Sequence, residues 1–196
     1  MNDTNVIVNP ADARFEGHGV VGDEPRFIAK HVEWKVSENR YESTYKDRFA
    51  GGVFMRATIG ANDYHHVHAS VSGIVLEAVV MLGQGAFNVV PKVSNNVKAA
   101  GSDFRGSIDT SGYQMAQARG RILLDSEIGL VAVLLIGMAQ VDSVVITARP
   151  GQRLGKGNEI SFFQFGGSDV VLMFGKRSQI VASAEANTHY NTGSED

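Results

Sequence analysis

Residues 157–174 read GNEISFFQFGGSDVVLMF. From 159 to 165 the residues alternate in the manner of a strand with two unlike faces, and 170–174 form a second, wholly apolar strand. Between them stands Gly166-Gly167-Ser168-Asp169. Two glycines before a serine open backbone conformations that other residues resist, so the hydroxyl can approach a neighbouring carbonyl. Upstream, 150–165 (PGQRLGKGNEISFFQF) has the form of a hairpin with a charged tip, a turn of the kind found in barrel-sandwich carrier domains and equally in ordinary exposed hairpins. The same style of short strand recurs outward along the chain, at 6–8, 31–36, 52–59, 72–80, 129–135 and 141–148. Glycine, 22 of 196 residues against a usual ~7%, separates these runs. Helical periodicity is confined to 112–119 and 138–141. The expectation is a β-dominated α+β fold of short antiparallel strands in packed sheets, with a barrel-sandwich-like hairpin region near the C-terminus. One domain, 1–186, is expected, followed by a polar flexible tail, 187–196; residues 37–50 and 93–110 read as long loops.

Composition narrows the chemistry. Eighteen basic and 21 acidic residues leave a formal charge of -3 and no basic stripe, so nucleic acid is not an expected partner. The chain has no cysteine, which excludes disulfides, thiolate metal sites and a cysteine nucleophile. The most apolar stretch, 128–141, is shorter than the roughly 20 residues of a membrane helix, and MNDTNVIVNP lacks the basic and apolar regions of a secretory leader. The expected setting is therefore cytoplasmic, with a small-molecule substrate, no membrane span and a homo-oligomer as a possible assembly.

Serine, histidine and carboxylates are left to carry any reaction, and they concentrate in three places. Asn9-Pro10-Ala11-Asp12 follows the apolar triplet Val6-Ile7-Val8. An acid at the end of a buried strand needs a partner to stay charged, although a turn aspartate after proline accounts for the same residues. Asp63-Tyr64-His65-His66-Val67-His68 holds three of the six histidines. In extended chain His66 and His68 share one face and His65 takes the other. Imidazole is a general base or a metal ligand; a metal would need a third ligand that the sequence does not locate, and none is expected. The third place is Gly166-Gly167-Ser168-Asp169. Asp12, His68 and Ser168 are of the types that make a Ser-His-Asp arrangement, but their separation in sequence lends that choice little weight by itself.

Taken in order, these stretches resemble the phosphatidylserine decarboxylase family of pyruvoyl enzymes. Asn9-Pro10-Ala11-Asp12 is similar to its Pro-Ala-Asp motif, DYHHVH at 63–68 to its Asp-Tyr-His-Arg-x-His motif, and 157–174 to its Gly-Ser-Thr ending. Residues 112–160 look closer to the branch that decarboxylates free amino acids such as tryptophan. The resemblance implies that His68 takes the Ser168 proton while Asp12 holds the ring. Ser168 Oγ then attacks the Gly167 carbonyl, and the chain parts between Gly167 and Ser168 to leave a pyruvoyl group. That group forms a Schiff base with an amine substrate and accepts electrons as carbon dioxide leaves. His65 is implied as a substrate contact or proton donor, and Tyr64, His66, Gly166 and Asp169 as substrate-binding residues.

Three departures accompany the match: His66 replaces the usual arginine, Ala69-Ser70 the usual Ser-Pro, and Asp169 the usual threonine. The chain begins almost at the Pro-Ala-Asp match, which favours a soluble substrate over a membrane lipid. The leading expectation is a pyruvoyl-dependent decarboxylase of an amino acid or amino-acid-derived carboxylate. A phosphatidylserine decarboxylase making phosphatidylethanolamine is one alternative. An unprocessed member turned to ligand binding or another biosynthetic reaction is the other.

Overall fold

A computed structural model of the chain describes residues 6–22, 26–29, 32–35, 44–81, 118–137, 144–164 and 168–194. Their strands, in chain order, are β1 (Ala13–Val20), β2 (Arg26–Ala29), β3 (Val32–Lys35), β4 (Val53–Ile59), β5 (His66–His68), β6 (Gly73–Met81), β7 (Arg119–Ser126) and β8 (Gly129–Gly137), then β9 (Val144–Ile146), β10 (Arg153–Leu154), β11 (Glu159–Phe163), β12 (Ser168–Phe174) and β13 (His189–Tyr190). Eight of them form one antiparallel sheet in the order β10-β6-β7-β8-β12-β4-β1-β13; a smaller sheet runs β5-β11-β9, and β2 pairs with β3.

β12 lies inside the large sheet between β8 and β4, and all seven of its residues are buried. Its apolar run follows from that position, because both faces are covered and neither has use for polar residues. Alternation sorts the side chains. Val170, Leu172 and Phe174 join Ala57, Ile59, Val131, Val133 and Leu135 in one core, while Val171 and Met173 join Leu123, Ala132, Leu134, Ile136 and Phe49 in a second. Each fully buried Val, Leu or Ile contributes about 1.5–3 kcal/mol.

The small sheet covers part of the first core with Val67, Val144, Ile160 and Phe163. It approaches closely at Gly120 of β7, where a Cβ would stand 2.9 Å from both Leu135 Cδ1 and Val144 Cγ1. At the other edge a bulge interrupts β1 between Phe15 and Gly17, and Gly17 takes a φ of 146° that a residue with a Cβ resists.

The β-dominated, antiparallel expectation matches this architecture, and three finer expectations do not. Among the described residues the only helical segments are 3-10 turns, at Lys46–Phe49 and Lys176–Ser178. Residues 118 and 119 of the expected helix 112–119 are described, and Arg119 opens β7; the rest of it, the segment 138–141 and the loop 93–110 lie outside the described residues. The expected hairpin at 150–165 divides between sheets, since β10 pairs with β6 whereas β11 pairs with β5 and β9. Its tip still turns as read, with Asn158 N–H donating to the Gly155 carbonyl (3.0 Å), but it is tied to a different segment: Gly157 N–H donates to Ala69 O (2.8 Å). The segment read from its polarity as a flexible tail is held down through residue 194. Tyr190 and His189 pair with Ala13 and Arg14, and Gly193 N–H donates to Asn9 O (2.9 Å). Polarity there serves hydrogen bonding to an otherwise open sheet edge. No helix among the described residues is long and apolar enough to cross a membrane.

Candidate active site

Four chain segments converge at one end of the large sheet. Ser168 opens β12 and pairs with Ile59, the last residue of β4, and with Gly137, the last of β8. Beyond Ile59 the chain turns at Gly60, whose N–H donates to Asp63 Oδ2 (2.8 Å), and enters the histidine segment. β11 runs beside that segment: Phe162 pairs with His66, and Phe163 N–H donates to His65 O (3.0 Å). β1 is the next strand after β4, with Arg14 opposite Thr58, so neighbouring-strand spacing puts the start of β1, just after Asp12, on the order of 10 Å from Ser168. His68 N–H donates to Pro10 O (2.8 Å), which binds the histidine segment to the Asp12 segment through the backbone.

Ser168 is fully buried, and its hydroxyl has no hydrogen-bond partner among the described residues. Its even-numbered position places it on the face of β12 shared with Val170 and the first core. A buried hydroxyl without a partner is costly and calls for an explanation, of which a chemical role is one.

The three histidines divide as alternation dictates. His65 Nε2 donates to the Ala61 carbonyl (3.3 Å), which leaves Nδ1 as the acceptor; that nitrogen is buried and has no partner among the described residues. His66 and His68 stack with Tyr64 on the outer face, at centroid distances of 4.9 and 5.7 Å from its ring. His66 also stacks on Phe162 and bonds through Nδ1 to Glu159 Oε2 (2.8 Å). His68 Nδ1 donates to the Gly157 carbonyl (2.9 Å), which fixes the tautomer whose Nε2 carries the lone pair. Nε2 receives the Tyr64 hydroxyl (3.2 Å). Its Nε2 is thus directed outward, toward Tyr64.

Asp12 is half-buried, and its Oδ1 accepts from Thr192 N–H and Thr192 Oγ1, each at 2.7 Å. No hydrogen bond joins it to His68 among the described residues. Asp169, one residue beyond the serine, faces the other side of the sheet. Its Oδ2 accepts from Arg56 Nη2 (2.7 Å) and its Oδ1 from Thr58 Oγ1 (2.7 Å), with Arg56 and Asp169 side chains only 6% and 8% exposed. Gly166 and Gly167 lie outside the described residues. Among those described, no three His, Asp or Glu side chains gather as metal ligands.

On the face of β12 that carries Ser168 there is also a cavity of about 450 Å³. Met55, Ala57, Val170 and Leu172 form its floor, and the segments 6–10 and 178–184 its walls.

Sequence reasoning picked out the chemical groups and missed the residues that hold them: Thr192 on Asp12, Gly157 on His68, Arg56 and Thr58 on Asp169. A backbone carbonyl has no sequence signature, and Thr192 lies 180 residues from its partner. Arg56 did leave one, as a lone charge within the apolar run of GGVFMRATI.

A family model described as phosphatidylserine decarboxylase matches residues 1–195. Among curated relatives, the decarboxylase iboD of Amanita muscaria is 30% identical over 142 residues, covering 68% of this chain and 40% of that protein. Phosphatidylserine decarboxylase proenzyme 3 of Schizosaccharomyces pombe is 28% identical over 171 residues, 87% of this chain and 16% of the relative. The phosphatidylserine decarboxylase proenzyme of Fusobacterium nucleatum is 25% identical over 177 residues, 90% and 55% respectively. The chain thus spans less than two thirds of the length of each of these relatives.

Proposed function

Since the chain belongs to the phosphatidylserine decarboxylase family, we propose that it is a self-processing decarboxylase whose pyruvoyl group arises from Ser168. The observation that carries this reading is the buried Ser168 hydroxyl, without a partner among the described residues, at the sheet end where the histidine segment and the Asp12 segment meet. In this reading a histidine base takes the Ser168 proton and Oγ bonds to the Gly167 carbonyl carbon. The Gly167–Ser168 C–N bond breaks as the amide nitrogen takes up the proton, which leaves an ester. Loss of the Ser168 α-proton expels the Gly167 carboxylate, and water then releases ammonia to leave the pyruvoyl end. The pyruvoyl group supplies a conjugated carbonyl that withdraws electrons as carbon dioxide leaves a bound amine substrate.

The chain's own residues fit the proton transfers. His68 has the tautomer a general base needs, set by the Gly157 carbonyl, and a rotation about its side-chain bonds redirects Nε2. His65 offers a buried acceptor nitrogen in the turn beside Ile59, suited to returning a proton to the substrate carbon. Asp12 enters through its place in the chain, two residues beyond the carbonyl that holds His68 N–H. Tyr64 and His66 complete an aromatic rim for the substrate.

For the substrate, we favour an amino acid or amino-acid-derived carboxylate, supported by the 112–160 resemblance and by a relative named simply a decarboxylase. Phosphatidylserine is supported equally by the proenzyme relatives. Denaturing mass spectrometry tests the proposal: residues 1–167 and 168–196 should appear as separate species, the second blocked to Edman sequencing. A single full-length mass after long incubation would remove it and favour an unprocessed binding protein. Carbon dioxide release from amino acids, set against phosphatidylethanolamine formation in lipid vesicles, chooses between the substrates.

A further inference from the structure

We propose that Arg56 is a positioning residue for scission at Ser168, acting through Asp169; this rests on the self-cleavage reading above. Both groups that hold the Asp169 carboxylate come from β4, the strand whose last residue pairs with Ser168. Thr58 stands directly opposite Asp169 and Arg56 opposite Val171, so the carboxylate is gripped from two successive same-face positions. Because adjacent strand residues point to opposite faces, anchoring Asp169 on one side fixes Ser168 on the other. Arg56 therefore sets the direction of a nucleophile it does not touch.

The pair also settles a problem of charge. The position after the serine carries a neutral hydroxyl in the resembled family, whereas here it carries a carboxylate buried one residue from the bond to be cut. Attack of Ser168 Oγ develops negative charge on the Gly167 carbonyl oxygen, and an uncompensated carboxylate nearby opposes it. The Arg56 guanidinium, at 2.7 Å and almost wholly buried, cancels that field. Arg56 and Asp169 together are neutral, as the single hydroxyl residue of the resembled family is. Losing either strands a buried charge, and losing both restores neutrality.

The test is a double-mutant cycle on the rate of self-cleavage. Full-length chain is made by pulse-labelled cell-free synthesis, and appearance of the 168–196 fragment is followed in wild type, Arg56→Met, Arg56→Lys, Asp169→Thr and Arg56→Met/Asp169→Thr. Thermal unfolding of each is measured in a Ser168→Ala background, and rates are taken well below every midpoint. Arg56→Met should slow cleavage by about tenfold or more, the effect of one uncompensated carboxylate beside the developing oxyanion, whereas Asp169→Thr, which leaves a cation there instead, should slow it by no more than about threefold. The double variant should return to within about threefold of wild type, and Arg56→Lys should cleave faster than Arg56→Met. A purely structural pair would shift the unfolding midpoints and leave the rates of folded chains equal. Wild type cleaving no faster than Arg56→Met, or a double variant as slow as Arg56→Met, overturns the proposal. If Arg56→Met does not fold, Arg56→Gln takes its place under the same criterion. A wild-type chain that never cleaves fails the self-cleavage reading itself, a distinct result.

Discussion

The large sheet and the small sheet solve opposite problems with the same kind of strand. In the large sheet β8 and β12 are apolar on both faces because two cores cover them, and the few polar groups admitted, such as Arg56 and Asp169, are matched to each other. In the small sheet only one face is buried. Val67 and Phe163 point inward, while His66 and His68 stand outside with Tyr64. The large sheet supplies rigidity and the small one supplies titratable groups held on a firm base. The serine belongs to the first by position and to the second by chemistry, since it starts a core strand and lies where the histidine segment begins.

This division can be broken most completely at Ser168. Ser168→Ala should abolish cleavage and leave one full-length mass, with a thermal midpoint within a few degrees of wild type, because the deleted hydroxyl makes no hydrogen bond to the described residues. Next comes His68→Ala, which should slow fragment formation by about 10²–10⁴ in a chain whose circular dichroism is unchanged. Its companion Asp12→Asn should slow cleavage if the carboxylate serves the imidazole. Cleavage at the wild-type rate would make Asp12 a clamp on Thr192 alone.

The large sheet should answer in the other currency. Leu135→Ala, at a fully buried position, should cost about 2–5 kcal/mol in denaturant unfolding while the folded fraction still cleaves. Gly120→Ala should cost about 1–3 kcal/mol, since its methyl must push Leu135 and Val144 apart and so loosen the seam between the sheets. The smallest effect is expected from Tyr64→Phe, which removes an exposed 3.2 Å bond to His68 and should change the cleavage rate by no more than about tenfold, in keeping with ~0.5–1.5 kcal/mol for such a bond. A Leu135→Ala chain that folds fully but no longer cleaves would show that the two sheets do not divide the labour in this way.

What the sequence revealed followed the same division. Apolar and alternating runs marked β4, β6, β8, β11 and β12 to within a few residues, because burial is written directly into side-chain type. β7 escaped notice because Arg119 and Arg121 break its apolar run, and β1 because its strand character comes from pairing with β4 across a bulge. The candidate groups were legible as motifs, but their settings were not. That the Asp12 carboxylate meets Thr192, and that β10 and β11 part into different sheets, are outcomes of long-range pairing that no local window contains.

The position of β12 has a consequence for the processed protein. A break between residues 167 and 168 would not shed the shorter piece, because that piece carries the strand wedged between β8 and β4 and the short strand that closes the edge at β1. The product would be an obligate heterodimer of two unequal subunits, interlocked as in fragment complementation. Its unfolding would become dissociation, so its apparent stability would depend on protein concentration in a way that the uncut chain's does not. Cutting would also free the new chain end at β12 from the covalent path that leads to β11. A fold whose stability comes from sheet pairing can be severed at its reactive point and keep its shape, and the same break turns an interior serine into a terminus.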